Sequence, residues 1–234
     1  MDHVVMDAAG ERLADTADAA GTVQGREQAV ELNAARRYLY ALGQSLLGNE
    51  PTAQRLSDAS VALLPEALLI VGLEGDEGVA DAVLCAQADV DGACALYTRL
   101  FIGPATPKAT PWESTYRSRS KALFRQETLA VRNAYRAEGL LTEAYPKVAD
   151  DHIAIELGFL AALAGRMVDA AEAGDQAAYD RSAAASAAFL QHHLLVWIGD
   201  YAADLEAEAP GSLHARLVRL LVAFVRRDAE LLAL

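Results

Sequence analysis

The chain has 234 residues and a formal net charge of −13, and 53% of its residues are apolar but only 6% aromatic. This negative charge repels nucleic acid phosphates and anionic membrane surfaces, so it argues against binding to either and favours a cationic partner. Much of the apolar share is alanine, the best helix former, and no alternating run typical of a strand appears. We predict an all-α fold, a single globular bundle of about 8–12 helices.

The first 23 residues are rich in Ala, Asp and Gly and have only weak periodicity, which predicts a flexible or loosely helical N-terminus. This segment lacks the basic and apolar regions of a secretory signal. No apolar run approaches the roughly 20 residues that a membrane-spanning helix needs. We therefore expect a cytoplasmic protein with no integral membrane segment.

Residues 24–138 are predicted to form an N-terminal helical part. Helical spacing of apolar residues indicates a first helix over 26–47, ended by Gly48, and a long helix over 79–101 that is broken near Asp91. Three prolines then predict a stiff loop over 103–115. A further helix is expected over 120–138 and ends at a glycine.

Residues 139–150 are irregular and predict a hinge between two helical subdomains, with Pro146, Asp150 and Asp151 as its hinge residues. Residues 151–234 form the predicted C-terminal helical part. Its first helix is expected to be capped by Asp150 or Asp151. A long helix should follow over 176–207, and Ser212 should cap the last one.

Patterns that would indicate an enzyme are missing from the sequence. No paired Glu-x-x-His, His-Glu-x-x-His, Gly-x-Ser-x-Gly or phosphate-binding glycine loop occurs. His152 and Glu156 lie one helical turn apart, but a single such pair is weak evidence for a metal. We predict no catalytic residue, no metal site and no enzymatic activity. The alternative that stays open is a helical metal- or nucleotide-dependent hydrolase that uses Asp151, His152, Glu156 and His193.

Three stretches are more specific in composition than their surroundings: YTRLFIGP at 97–104 with TPWESTY at 110–116, DDHIAIELGFLAAL at 150–163, and FLQHHLLVWIGDYAADL at 189–205. Core packing with a loop anchor would account for much of each stretch. Phe189, His193 and Trp197 are spaced by four and are predicted to share a helix face. Trp112 follows a proline in a loop, a setting more typical of a binding groove.

Together these stretches resemble the TorD/DmsD family of redox-enzyme maturation chaperones. The first stretch matches the family's motifs at Tyr97, Leu100, Phe101, Gly103, Pro104, Pro111, Trp112, Glu113, Ser114 and Tyr116. The second matches at Asp151, His152, Glu156, Leu157, Phe159 and Leu160, and the third at His193, Leu194 and Trp197. Thr110 and Asp150 stand where the family pattern has proline. The resemblance covers the chain from about residue 97 to its end.

The resemblance implies a TorD-like helical fold without catalytic activity. Family members bind the twin-arginine signal peptide, and sometimes the body, of a molybdopterin oxidoreductase in the cytoplasm, and they delay its export until the cofactor is inserted. The resemblance also implies weak guanine nucleotide binding in some members, and a monomer or a domain-swapped homodimer. A NarJ-like nitrate reductase assembly chaperone is the nearest alternative.

A twin-arginine leader carries two guanidinium groups, which prefer planar carboxylate partners, and an apolar stretch suited to an aromatic groove. We hypothesise that the aromatic side chains contact the apolar stretch and that Glu113, Asp151 and Glu156 face the arginines. His152 would order the Asp151 turn or titrate to tune release. The predicted signal-peptide site comprises Tyr97, Leu100, Phe101, Trp112, Glu113, Ser114, Tyr116, Asp151, His152 and Glu156.

Overall fold

The computed structural model describes residues 23–103, 107–117, 126–142 and 148–233. Within these ranges the regular structure is helical, with no strand beyond one isolated antiparallel bridge between Trp112 and His152. The all-α prediction is confirmed. The predictions for residues 1–22, for Pro104 and for Pro146 lie outside the described residues. None of the described helices is long and apolar enough to cross a membrane.

The α-helices in chain order are Val23–Gly48 (α1), Ala53–Asp58 (α2), Leu64–Val71 (α3), Val79–Ala88 (α4), Val90–Tyr97 (α5), Glu113–Arg117 (α6), Gln126–Ala137 (α7), Ile153–Ala173 (α8), Gln176–His192 (α9), Ile198–Glu208 (α10) and Leu213–Leu231 (α11). Short 3-10 turns cover Val61–Leu63 and Leu194–Val196, and a π-helical turn covers Thr98–Ile102.

Helices α1 and α8 form the most extensive helix pair in the described structure. Glycines allow this close approach. A Cβ on Gly48 would lie 2.7 Å from the Cβ of Ala154, and a Cβ on Gly158 would lie 2.6 Å from Nε2 of Gln44. Because α1 belongs to the predicted N-terminal part and α8 to the C-terminal part, the two parts share one hydrophobic core.

A buried ion pair ties α1 to α11. The Arg36 Nε lies 2.5 Å from Oδ1 of Asp228, and Nη2 donates to Oδ2 at 3.0 Å. Tyr40 also donates its hydroxyl to Asp228, and Arg36 donates to the side chain of Asn33. Both charged residues are about fully buried, so removing one partner would cost about 3–5 kcal/mol.

Two predicted helices are divided in the structure. The break predicted near Asp91 falls at Asp89, whose carboxylate accepts a hydrogen bond from the Gly92 amide and caps α5. The prediction of one helix over 176–207 is wrong, because α9 ends at His192. His193 (φ −125°, ψ −88°) and Trp197 (φ −139°, ψ −22°) leave the helical region, and a 3-10 turn lies between them.

Two predicted helix starts have different outcomes. Ser212 caps α11 as expected, because its hydroxyl accepts a hydrogen bond from the Ala215 amide. The predicted cap of α8 by Asp150 or Asp151 is wrong, since the cap is His152. The two carboxylates are engaged elsewhere, as described below.

Candidate functional site

The proline-rich segment and the start of α8 are joined by two backbone hydrogen bonds. The Glu113 amide donates to the Asp151 carbonyl at 3.0 Å, and the Ile153 amide donates to the Pro111 carbonyl at 2.8 Å. Trp112 and His152 lie opposite each other in this bridge, with their rings edge to face at 5.3 Å. Two motifs far apart in the sequence therefore form one local structure.

The carboxylate of Asp151 holds this structure from inside. It is fully buried, its Oδ2 accepts from the Ser114 amide at 2.9 Å, and its Oδ1 accepts from the Thr128 hydroxyl at 2.9 Å. A carboxylate beside the first amides of a helix satisfies donors that lack a helical partner. Asp151 thus fixes the start of α6 and links it to α7.

Asp150 is also buried and makes contacts of its own. Its carboxylate accepts from Arg132 Nε at 2.6 Å, and its carbonyl accepts from the Tyr135 hydroxyl at 3.0 Å. Both described hinge residues, Asp150 and Asp151, are therefore bonded to neighbouring helices, while Pro146 lies outside the described residues. The hinge itself stays a prediction.

His152 begins α8. Its Nδ1 accepts a hydrogen bond from the Ala154 amide at 3.1 Å, which requires an unprotonated nitrogen. Burial lowers the pKa of His152 to about 4, so the ring is neutral at neutral pH and Nδ1 can accept. Of the two roles predicted for this residue, the contacts support the ordering of the turn.

Glu113 is the third buried carboxylate of the site. His193 Nδ1 lies 3.0 Å from its Oε2, and Arg117 Nη1 lies 2.5 Å from its Oε1. The same Arg117 nitrogen donates to the His192 carbonyl at 3.0 Å. The break after α9 brings His193 to this carboxylate, which is therefore held from two elements, α6 and the end of α9.

Glu156 lies on α8 and is fully buried. The Trp197 indole donates to its Oε2 at 3.2 Å, and its Oε1 has no hydrogen-bond partner among the described residues. Burial, and next the negative charge of Glu113, raise the pKa of the Glu156 carboxyl well above its ordinary value. Glu156 is thus favoured as a neutral carboxyl, poorly suited to pair with an arginine.

The aromatic residues of the predicted site divide into two groups. Tyr97 is buried, whereas Phe101, Trp112 and Tyr116 are only partly buried. The Tyr116 ring stacks on Trp197 at 5.4 Å, and its hydroxyl donates to Asp204, an exposed residue of α10. The partly buried rings keep surface that a ligand could contact.

The structure thus places most predicted polar site residues in the interior. Glu113, Ser114, Asp151 and Glu156 are buried, as is the apolar Leu100. Phe101, Trp112, Tyr116 and His152 retain accessible surface. Thr128 and Arg117 also contribute to the site, but neither belongs to a sequence motif that would have identified it. Contact with a peptide stays a prediction for all ten residues.

A cavity of about 660 Å³ lies along α8, and its lining on this helix begins at Ala154, two residues after His152. Gly158 and Ala162 of α8, Gln44 of α1 and Leu141 also line it. Leu141 is 76% exposed. In the described part of the chain, no group of three His, Cys, Asp or Glu side chains is arranged to hold a metal ion.

Three comparisons with known proteins agree with this description. A family model described as the nitrate reductase delta subunit matches residues 74–203, more than half of the chain. Chaperone protein TorD from two strains of Vibrio cholerae is 28% identical over 133 residues, 57% of this chain and 59% of the relative. The match therefore spans less than two thirds of the length of these relatives.

A solved structure from Archaeoglobus fulgidus, described as a redox enzyme maturation protein, superimposes with a TM-score of 0.52. The match covers 82% of this chain and 93% of that one, and its 20% sequence identity supports the fold alone. On the family match and the curated relatives, the chain belongs to the nitrate reductase delta subunit family, which includes the TorD redox-enzyme maturation chaperones.

Proposed function

We propose that this redox-enzyme maturation chaperone works in the cytoplasm by binding the twin-arginine signal peptide of a molybdopterin oxidoreductase. Binding would assist cofactor insertion and delay export until the client has folded. We also propose that the protein has no catalytic activity of its own. The observation that carries the proposal is the bridge between the proline-rich segment and α8. It holds Trp112 and Tyr116 at the surface beside a cluster of carboxylates.

The chemistry of the surface suits such a peptide. Partly buried aromatic rings offer rigid contact area at low entropic cost, and a fixed loop loses little freedom when a flexible ligand docks. The apolar stretch of a leader would lie across Phe101, Trp112 and Tyr116. A net charge of −13 would attract its cationic end.

The buried carboxylates modify the original hypothesis for the arginines. Asp151 and Glu156 have internal roles, so their contribution to binding is the position they give to α6 and α8. Glu113 differs, since the guanidinium that it binds belongs to a partly exposed side chain. We assign the recognition of an arginine to Glu113 rather than to all three residues.

A binding assay tests this function. A synthetic peptide with two adjacent arginines and an apolar stretch should bind the purified protein, and an Arg-Arg→Lys-Lys peptide should bind more weakly. The double variant Trp112→Ala, Tyr116→Ala should lower the affinity by about tenfold or more, the loss expected for hot-spot aromatics. Leu69→Ala is the control, because Leu69 is 77% exposed on α3.

Fluorescence anisotropy gives the affinities, and circular dichroism checks the fold of each variant. Equal affinity of the double variant and the wild type would refute the aromatic site. Absence of binding to any twin-arginine peptide would refute the function.

The description of the family favours a second candidate, a NarJ-like chaperone of nitrate reductase assembly. Capture of clients from cytoplasm separates the two. Recovery of a nitrate reductase without a twin-arginine leader would favour the second candidate. Weak guanine nucleotide binding and a domain-swapped dimer stay predictions from the family resemblance.

A further inference from the structure

One ion pair of the site joins an interior anion to a surface cation. The Glu113 carboxylate is 0% exposed, whereas the Arg117 side chain is 38% exposed. Arg117 reaches both the carboxylate and the His192 carbonyl through Nη1. Glu113 and the His192 carbonyl at the end of α9 therefore form a pocket that holds the guanidinium group of a surface side chain. We call it the guanidinium pocket.

Two groups of this pocket favour a cation, the Glu113 carboxylate and the His192 carbonyl. A buried carboxylate is destabilising unless it is fully paired, and without Arg117 only the His193 ring would remain beside Glu113, so a positive group in place of Arg117 is favoured. The His192 carbonyl belongs to the last residue of α9, where the helix dipole is negative. His193, 3.0 Å from Oε2, fixes the orientation of the carboxylate. A weakly hydrated, planar guanidinium suits such a partly buried site better than an ammonium group.

We propose that Arg117 is a placeholder in this guanidinium pocket, and that an arginine of the client's leader displaces it on binding. This inference rests on the proposed function for the identity of the ligand, but not for the pocket itself. Exchange of one guanidinium for another keeps the charge of the pocket and its hydrogen bonds. The contacts that hold α6, from Asp151 to Glu113 and Ser114, do not involve Arg117 and would persist.

If the client's arginine displaces Arg117, removal of Arg117 should lower the stability of the protein but raise its affinity for the peptide. Removing Arg117 empties the pocket, so the variant Arg117→Ala should be less stable than the wild type. It should also bind a twin-arginine peptide more tightly, by about threefold or more, because no internal competitor has to leave. A simple structural ion pair would give the opposite result, since its loss would disorder α6 and weaken binding.

The first experiment measures thermal unfolding with N-acetylarginine amide as the probe. Millimolar probe should raise the midpoint of Arg117→Ala by several degrees and leave the wild type unchanged, while N-acetyllysine amide should have a smaller effect. Arg227→Ala is the matched control. Arg227 is 37% exposed, pairs with Glu230, whose side chain is 66% exposed, and donates to the Val71 carbonyl, so its removal leaves no buried carboxylate without its arginine. Arg117→Gln repeats the test with a side chain closer in size.

The second experiment measures the affinity of the twin-arginine peptide for the wild type, Arg117→Ala and Arg227→Ala. Tighter binding to Arg117→Ala alone supports the displacement. Unchanged or weaker binding, or no rescue by N-acetylarginine amide, overturns it. If the amide rescues the variant but neither protein binds the peptide, the pocket stands and the proposed function fails. If the wild type binds the peptide and Arg117→Ala binds it less well, the proposed function stands and the displacement fails.

Discussion

Replacement of Asp151 by alanine would separate a structural role from direct contact with a peptide. The carboxylate is fully buried and accepts hydrogen bonds from the Ser114 amide and the Thr128 hydroxyl, each at 2.9 Å. Asp151→Ala leaves both donors buried without a partner. At about 1–3 kcal/mol for each unsatisfied donor, the expected loss of stability is about 2–6 kcal/mol.

Urea denaturation of Asp151→Ala, Thr128→Ala and the double variant measures this network. Thr128→Ala removes one hydrogen bond and should cost about 1–2 kcal/mol. The double variant should show a coupling energy of about 1 kcal/mol or more between the two positions. The affinity of the same variants for the twin-arginine peptide is then measured without urea, where each variant is fully folded. If Asp151→Ala keeps its stability but loses the peptide, Asp151 contacts the arginines directly, and its structural role is refuted.

Two further predictions concern the core. His214 is 1% exposed, and burial lowers its pKa from 6.5 to about 4, so between these pH values the folded state binds fewer protons than the unfolded state. Between pH 7 and pH 5 the wild type should therefore lose about 2 kcal/mol more of its free energy of unfolding than His214→Leu does. Equal losses in the two proteins, measured by urea denaturation at both pH values, would contradict this. Gly48→Ala should cost about 1–3 kcal/mol through its clash with Ala154, whereas Gly199→Ala, with open space around it in α10, should be neutral or slightly stabilising in thermal unfolding.

The helical fold could be predicted from the sequence, because alanine content and apolar spacing act locally. Glycine and serine signals located the end of α1 at Gly48 and the start of α11 at Ser212. The break after α9 could not be predicted in the same way, since QHHLLVWI contains neither glycine nor proline. There the tertiary bonds from His193 to Glu113 and from Trp197 to Glu156 accompany a backbone that leaves the helix.

For the candidate site, the sequence motifs identified the two segments that the structure joins, but not the direction of their side chains. Glu113, Asp151 and Glu156 look like surface carboxylates in an acidic chain. Their partners Thr128, Arg117 and Trp197 lie between 4 and 41 residues away, so only the packed structure shows that their oxygens point inward.

The packing of α1 against α8 and α11 also constrains assembly. A domain-swapped dimer that exchanged residues 151–234 would have to rebuild the glycine contacts and the Arg36–Asp228 pair between two copies, because the buried apolar residues of the two parts form one cluster in the described structure. Conversion between the monomer and such a dimer would therefore pass through global unfolding. The two forms should interchange only at the unfolding rate, which for stable domains extends to hours or days, and should be separable on a column.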